Sequence, residues 1–143
     1  MNETFAKFGW PGTRIAETEH WGVMLRPEQP TLGALVLGCK LPVRSFGAVG
    51  EAGMADLARA TAGVEAMLRA AMGYDKLNYL MLMMVDPDVH FHVLPRYDGT
   101  RDVAGITLPD PGWPGPPRLA EARKLTQDEI SALRRHLAAH WPG

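Results

Sequence analysis

From His20 to Leu25 the side chains alternate, with Trp21, Val23 and Leu25 on one side and His20, Gly22 and Met24 on the other, a period of two that predicts a β-strand. Arg26-Pro27-Glu28-Gln29-Pro30 ends it, because two prolines interrupt a hydrogen-bonded ladder and mark a turn. Thr31 to Leu41 predicts the next strand, paired with the first as a meander. Its core, Leu32 to Cys39, is the longest apolar run in the chain and is about half the length a membrane-spanning helix needs.

After Pro42 the period changes. Met54, Leu57, Thr61, Val64, Leu68 and Met72 recur every three or four residues, the spacing of one helix face, and Gly73 is the natural stop because glycine tolerates the left-handed conformation past a helix end. Leu77 to Val85 and Val89 to Arg96 are two apolar runs separated by Asp86-Pro87-Asp88, which reads as a tight antiparallel hairpin. Within the first run, the methionine-rich stretch Leu80 to Met84 reads as gap-filling core. Residues 98–117 carry Gly99, Gly105, Gly112, Gly115 and five prolines, and are expected to form a surface excursion without regular structure, lying over a site. Thr126-Gln127-Asp128-Glu129 is a capping box that opens a helix over 126–140, with Ile130, Leu133 and Leu137 as its apolar face. Residues 1–12 have no period and read as an N-terminal arm. Without an internal repeat or a shift in composition, residues 1–143 form a single domain. The elements add up to an α+β fold, an antiparallel sheet of about five strands with the long helix packed on one face and the C-terminal helix at its flank.

Composition narrows the function classes. At 143 residues, 46% hydrophobic and 22% charged, the chain matches a globular domain rather than a disordered or fibrous one. Fifteen Lys and Arg balance sixteen Asp and Glu for a formal charge of -1, so there is no basic field to drive nonspecific nucleic-acid binding, and any anion must be gripped locally. Cys39, the single cysteine, excludes an intramolecular disulfide and a multi-cysteine zinc site, and reads as a small hydrophobe in a reducing compartment. Residues 1–21 carry Glu3, Lys7, Arg14, Glu17 and Glu19 with no apolar stretch long enough for a signal peptide, so the expected location is the cytoplasm, away from any membrane.

The segment with chemistry in it is Asp88-Val89-His90-Phe91-His92-Val93-Leu94-Pro95-Arg96. In a strand, successive side chains change face, which puts Asp88, His90 and His92 on one side together with Arg96. Taken alone, a His-x-His serves equally as the solvated face of an edge strand, and two imidazoles with a carboxylate are also a facial metal set. A cupin would be the nearest example of the latter. Cupins, however, want a glutamate shortly after the second histidine, and residues 93–97 contain none, while the helix over 54–72 interrupts an all-β barrel.

The run from Val89 to Arg96 resembles the signature of the histidine triad (HIT) family, His-φ-His-φ-His-φ-φ with φ apolar, often followed by Pro-Arg. The resemblance spans roughly residues 21–97 in the order strand, strand, long helix, strand, strand with the histidines. It implies a nucleotide hydrolase or transferase of the dinucleoside polyphosphate or nucleoside phosphoramidate class. In such proteins the middle histidine attacks an α-phosphorus and water resolves the nucleotidyl-imidazole.

On this chain the resemblance makes His90 the nucleophile and His92 a partner to phosphoryl oxygens or the leaving group, with Asp88 where the family has its first histidine. Arg96 is implied as a phosphate contact, against the competing reading of a solvated rim residue. Asn78 corresponds to a phosphate-contacting asparagine, against that of a strand-end amide bonding backbone. No protein-held metal or cofactor is implied, although the nucleotide can arrive as its divalent-metal complex. A homodimer with a continuous sheet is implied as well. The family's Gly-Gln-Ser turn is absent, Asp86-Pro87 standing in its place, and Gly33 replaces a histidine on an upstream strand. With its α-carbon about 7 Å from that of His90, an ionised Asp88 carboxylate is expected to favour the protonated ring.

Overall fold

A computed structural model describes residues 1–143. The strands are β1 (Arg14–Glu17), β2 (Trp21–Leu25), β3 (Glu28–Gln29), β4 (Leu35–Cys39), β5 (Lys76–Leu80), β6 (His90–Arg96), β7 (Thr100–Val103), β8 (Ile106–Pro109) and β9 (Arg123–Lys124). The helices are α1 (Glu3–Lys7), α2 (Gly50–Met72) and α3 (Gln127–Ala138). A five-stranded sheet runs in the order β1-β2-β4-β6-β5 with every pair antiparallel, and β3 with β9 and β7 with β8 form two small ladders. This is the α+β architecture expected from the pattern.

Alternation divides the sheet into two faces. Trp21, Val23 and Leu25, Leu35, Leu37 and Cys39, and Val93 join Val64, Met67 and Leu68 of α2 and Leu133 and Leu137 of α3 in the main core. α2 stops at Gly73, which takes the left-handed conformation with φ 61° and accommodates no side chain's steric cost there. Thr126 and Glu129 close the capping box of α3 from both sides.

The other face carries a second, smaller core, and here the N-terminal segment departs from expectation. Residues 3–7 are helical rather than an irregular arm: Asn2 caps α1 by accepting from the Phe5 amide and donates to the Cys39 carbonyl. Phe5 is completely buried with Met24 and Val36. Its seat is a pair of cross-strand neighbours, Gly22 and Gly38. A Cβ at Gly22 would lie 2.5 Å from Phe5 Cε2 and one at Gly38 2.8 Å from Cε1, so any larger residue at either position collides with the ring. One helical turn is too short to show a period, and tertiary packing supplies what local sequence lacks.

Two further expectations change. β5 and β6 are paired, but the hairpin is not tight: residues 81–89 loop out between them, with Met83 at φ 50°. The Val89 amide donates to the Val43 carbonyl and its own carbonyl accepts from Cys39, which draws the chain before β6 toward β4 and away from β5. The methionine-rich run is filler only in part: Met81 and Met83 pack against the main core, while Leu82 and Met84, and Val85 after them, are 50%, 87% and 81% exposed. Residues 98–117 also contain regular structure. β7 and β8 form a hairpin whose turn, Ala104-Gly105, has positive φ at both residues, the geometry that matches strand twist.

Candidate functional site

β6 brings His90 and His92 onto the α1 face of the sheet, opposite Gly38 and Val36 of β4 respectively. Their rings stand edge to face with centroids 5.1 Å apart. His90 Nδ1 lies 2.6 Å from the Asp88 carbonyl oxygen. A carbonyl only accepts, so Nδ1 carries a proton, and in the neutral ring the lone pair is on Nε2. The ring of Phe8, just past α1, packs beside both imidazoles, at centroid distances of 6.1 Å from His90 and 5.8 Å from His92. His90 is 1% exposed and His92 9%.

His92 Nδ1 is buried without a hydrogen-bond partner. Burial, followed by the positive charge of Arg26, lowers the pKa of this ring to about 4. The ring is therefore neutral at pH 7. Between about pH 6.5 and 4 the unfolded chain binds a proton here that the folded chain does not, so this residue's stabilisation is complete above that window and is lost as pH falls through it. The urea midpoint of the parent should drop between pH 7 and 4.5 more steeply than that of His92→Gln; equal slopes would show that the ring is not held neutral.

Asp88 does not direct its carboxylate at His90. Its Oδ2 accepts from Thr4 Oγ1 of α1 at 3.1 Å, and Oδ1 lies 3.8 Å from Arg44 Nε, so its link to His90 is the backbone carbonyl. The residue precedes β6, and the regular alternation assumed from sequence does not reach it. This also separates the carboxylate from the imidazoles as a metal-ligand set, and no group of three His, Cys, Asp or Glu side chains converges to hold a metal ion.

Arg96 is on the expected face but buried, with one Nη1 N–H left over after its bonds within the protein and the residue itself lining the cleft beside it. Its Nε donates to Asp110 Oδ2 at 2.7 Å and its Nη2 to Oδ1 at 3.1 Å, while Nη1 donates to Asn78 Oδ1 at 2.8 Å and Nη2 to the Gly115 carbonyl at 2.8 Å. Arg96 therefore pins residues 110–115 onto β6, and Asn78 of β5 serves that knot through its carbonyl oxygen. A cleft of about 480 Å³ lies there, with Lys76, Asn78 and Trp113 among its walls. Sequence reasoning missed Asp110, hidden in a Pro/Gly-rich stretch, and Phe8, hidden in the apparently irregular arm. Only their long-range partners reveal them.

A scan against protein-family models finds no match, and neither does a search of curated proteins. Solved structures do match. A histidine triad (HIT) protein from Sinorhizobium meliloti 1021 is 21% identical, with 98% of this chain and 95% of that one aligned at a TM-score of 0.76. A histidine triad protein from Marinobacter aquaeolei VT8 is 19% identical over 99% of this chain and 94% of that one, TM-score 0.75. A hypothetical histidine triad nucleotide-binding protein from Sulfolobus tokodaii is 18% identical over 96% and 88%, TM-score 0.70.

Proposed function

We propose that this chain, which has the histidine triad fold, binds a nucleotide with its α-phosphate against His90 and His92 and cleaves it through a nucleotidyl-histidine intermediate. The observation that carries the reading is the hydrogen bond from His90 Nδ1 to the Asp88 carbonyl, which fixes the tautomer whose lone pair is on Nε2, on the same strand face as His92. Nε2 attacks phosphorus, a P–N bond forms as the bond to the leaving group breaks, and the electron pair departs with that group. Water then displaces the imidazole, releasing the nucleoside monophosphate. Asp88 acts here through its backbone, and its carboxylate holds α1 through Thr4. Arg96 and Asn78 shape the far end of the strand.

The test is incubation with a dinucleoside polyphosphate and with adenosine 5′-phosphoramidate, following AMP release, with quenching in alkaline denaturant, where a P–N bond survives, and mass spectrometry to find the adduct on the peptide carrying His90. Release of AMP with that adduct supports the mechanism. Calorimetric binding of AMP without release favours a second reading, a binding protein without turnover, which has in its support the near-complete burial of His90. Neither release nor binding overturns both.

We further expect two copies to pair through β5. It is the last strand of the sheet, so one row of its backbone groups lacks a partner, and exposed Leu82, Met84 and Val85 follow it directly. Light scattering should give a dimer mass for the parent and a monomer mass for Met84→Glu with Val85→Glu; a monomeric parent would refute this.

A further inference from the structure

At the far end of β6, Lys76 and Asn78 stand two apart on β5 and share a face, and Lys76 is the direct cross-strand partner of Arg96. Like charges set opposite each other on adjacent strands repel unless each is neutralised. Asp110 neutralises Arg96 through both carboxylate oxygens, at 2.7 and 3.1 Å. Lys76 has no such partner: it is exposed and takes part in no ion pair.

The polar groups left unused in the cleft there are of one kind. Asn78 Oδ1 is taken by Arg96 Nη1, so the amide has its Nδ2 hydrogens to offer. The Gly115 carbonyl is taken by Arg96 Nη2. Arg96 lines the cleft with one Nη1 N–H to spare, and Lys76 lines it with its ammonium. Three donors therefore surround a single uncompensated positive charge. That combination suits a monoanion made only of acceptors, a carboxylate, better than a phosphate dianion.

Trp113, Pro114 and Pro116 form the remaining walls of a cavity of about 480 Å³, a volume suited to a small molecule. Their loop is held in place beforehand. The Trp113 amide donates to the Asp110 carbonyl at 3.3 Å, the Gly112 amide to Asp110 Oδ1 at 3.3 Å and the Gly115 amide to the Gly112 carbonyl at 2.7 Å. An indole flanked by prolines gives a flat apolar surface for a ring. Arg96 is four residues beyond His92, about 13 Å along the strand, so this cleft is separate from the imidazoles.

We propose that the cleft is a second binding site, which takes a small aromatic carboxylate: the carboxylate on Lys76, Asn78 and Arg96, the ring on Trp113. Calorimetry with 2-naphthoate tests it. The parent should bind, Lys76→Gln should bind about tenfold more weakly, the scale of a hydrogen bond to a charged group, and Trp113→Leu about fivefold more weakly, the scale of an aromatic pair. Lys76 is exposed, so Lys76→Gln decides the matter even if Trp113→Leu unfolds. His90→Ala should bind as tightly as the parent, and saturating AMP should leave the affinity unchanged. No binding by the parent, or equal binding by Lys76→Gln, overturns the site. Loss of binding in His90→Ala or competition by AMP puts the ligand at the histidines and overturns it too. 2-Naphthamide, which keeps the shape without the charge, should bind about tenfold more weakly than 2-naphthoate, and equal binding would reduce the cleft to an apolar patch. Tighter binding of 2-naphthyl phosphate than of 2-naphthoate overturns the choice of a monoanion.

Discussion

His90→Ala abolishes turnover: kcat for AMP release falls by a factor on the order of 10³ or more for every ester the parent cleaves, because the atom that forms the P–N bond is gone and no other group on that face replaces it. Nucleotide affinity persists, since the phosphate retains His92 and the cations beside it. The expectation depends on the tautomer. With Nδ1–H committed to the Asp88 carbonyl at 2.6 Å, the neutral ring presents its lone pair on Nε2 and needs no second residue to activate it. His92, neutral at pH 7 because its pKa lies at about 4, is not a substitute: it stands on the same strand two residues away, at another point of the phosphate. Steady-state rates on a dinucleoside polyphosphate, with AMP binding measured on the same preparation, check this. A variant that retains a rate near that of the parent would remove His90 from the role of nucleophile.

Arg96→Ala destabilises the fold by about 3–5 kcal/mol, the cost of stranding one member of a buried ion pair. The Asp110 side chain is 0% exposed and that of Arg96 4%. With the guanidinium removed, the carboxylate keeps only the amides of Tyr97 at 3.1 Å and Gly112 at 3.3 Å. The Gly115 carbonyl and Asn78 Oδ1 lose their donors at the same time. Urea unfolding measures the loss. The double variant Arg96→Ala with Asp110→Ala should lose less than the two single losses added, since neither charge is then stranded. A single-variant loss under about 1 kcal/mol would show that the pair is open to water.

The contrast between these two residues explains what could be read from sequence. His90 and His92 are legible because a strand's period of two fixes their common face, and β6 keeps that period. α2 and α3 are legible because each carries its own stop or cap, Gly73 for one and the Thr126–Glu129 box for the other. Arg96 was placed on the right face, but its partner within the protein was not legible, as Asp110 is fourteen positions away in a segment whose prolines and glycines suggest no order. The same composition masked β7 and β8, although Ile106 and Leu108 alternate there with exposed residues. α1 was illegible for another reason. Five residues make one turn, and what holds them is Phe5 against two glycines on strands distant in sequence. Asp88 misled because periodicity was extended to a residue where the chain has already left the ladder.

The Phe8 ring turns nucleotide affinity into a composite quantity. A phosphate is expected to reach the buried His90 only in molecules where this ring stands aside, and the apparent Kd is then the intrinsic value divided by the fraction of such molecules. Were that fraction about one in a hundred, affinity would be about a hundredfold weaker than the exposed pair of histidines could deliver. Phe8→Ala then tightens AMP binding without supplying a contact, the reverse of what trimming a ligand-touching side chain does. Calorimetric titration of the two proteins reads the population of the uncovered state directly, as the ratio of their dissociation constants.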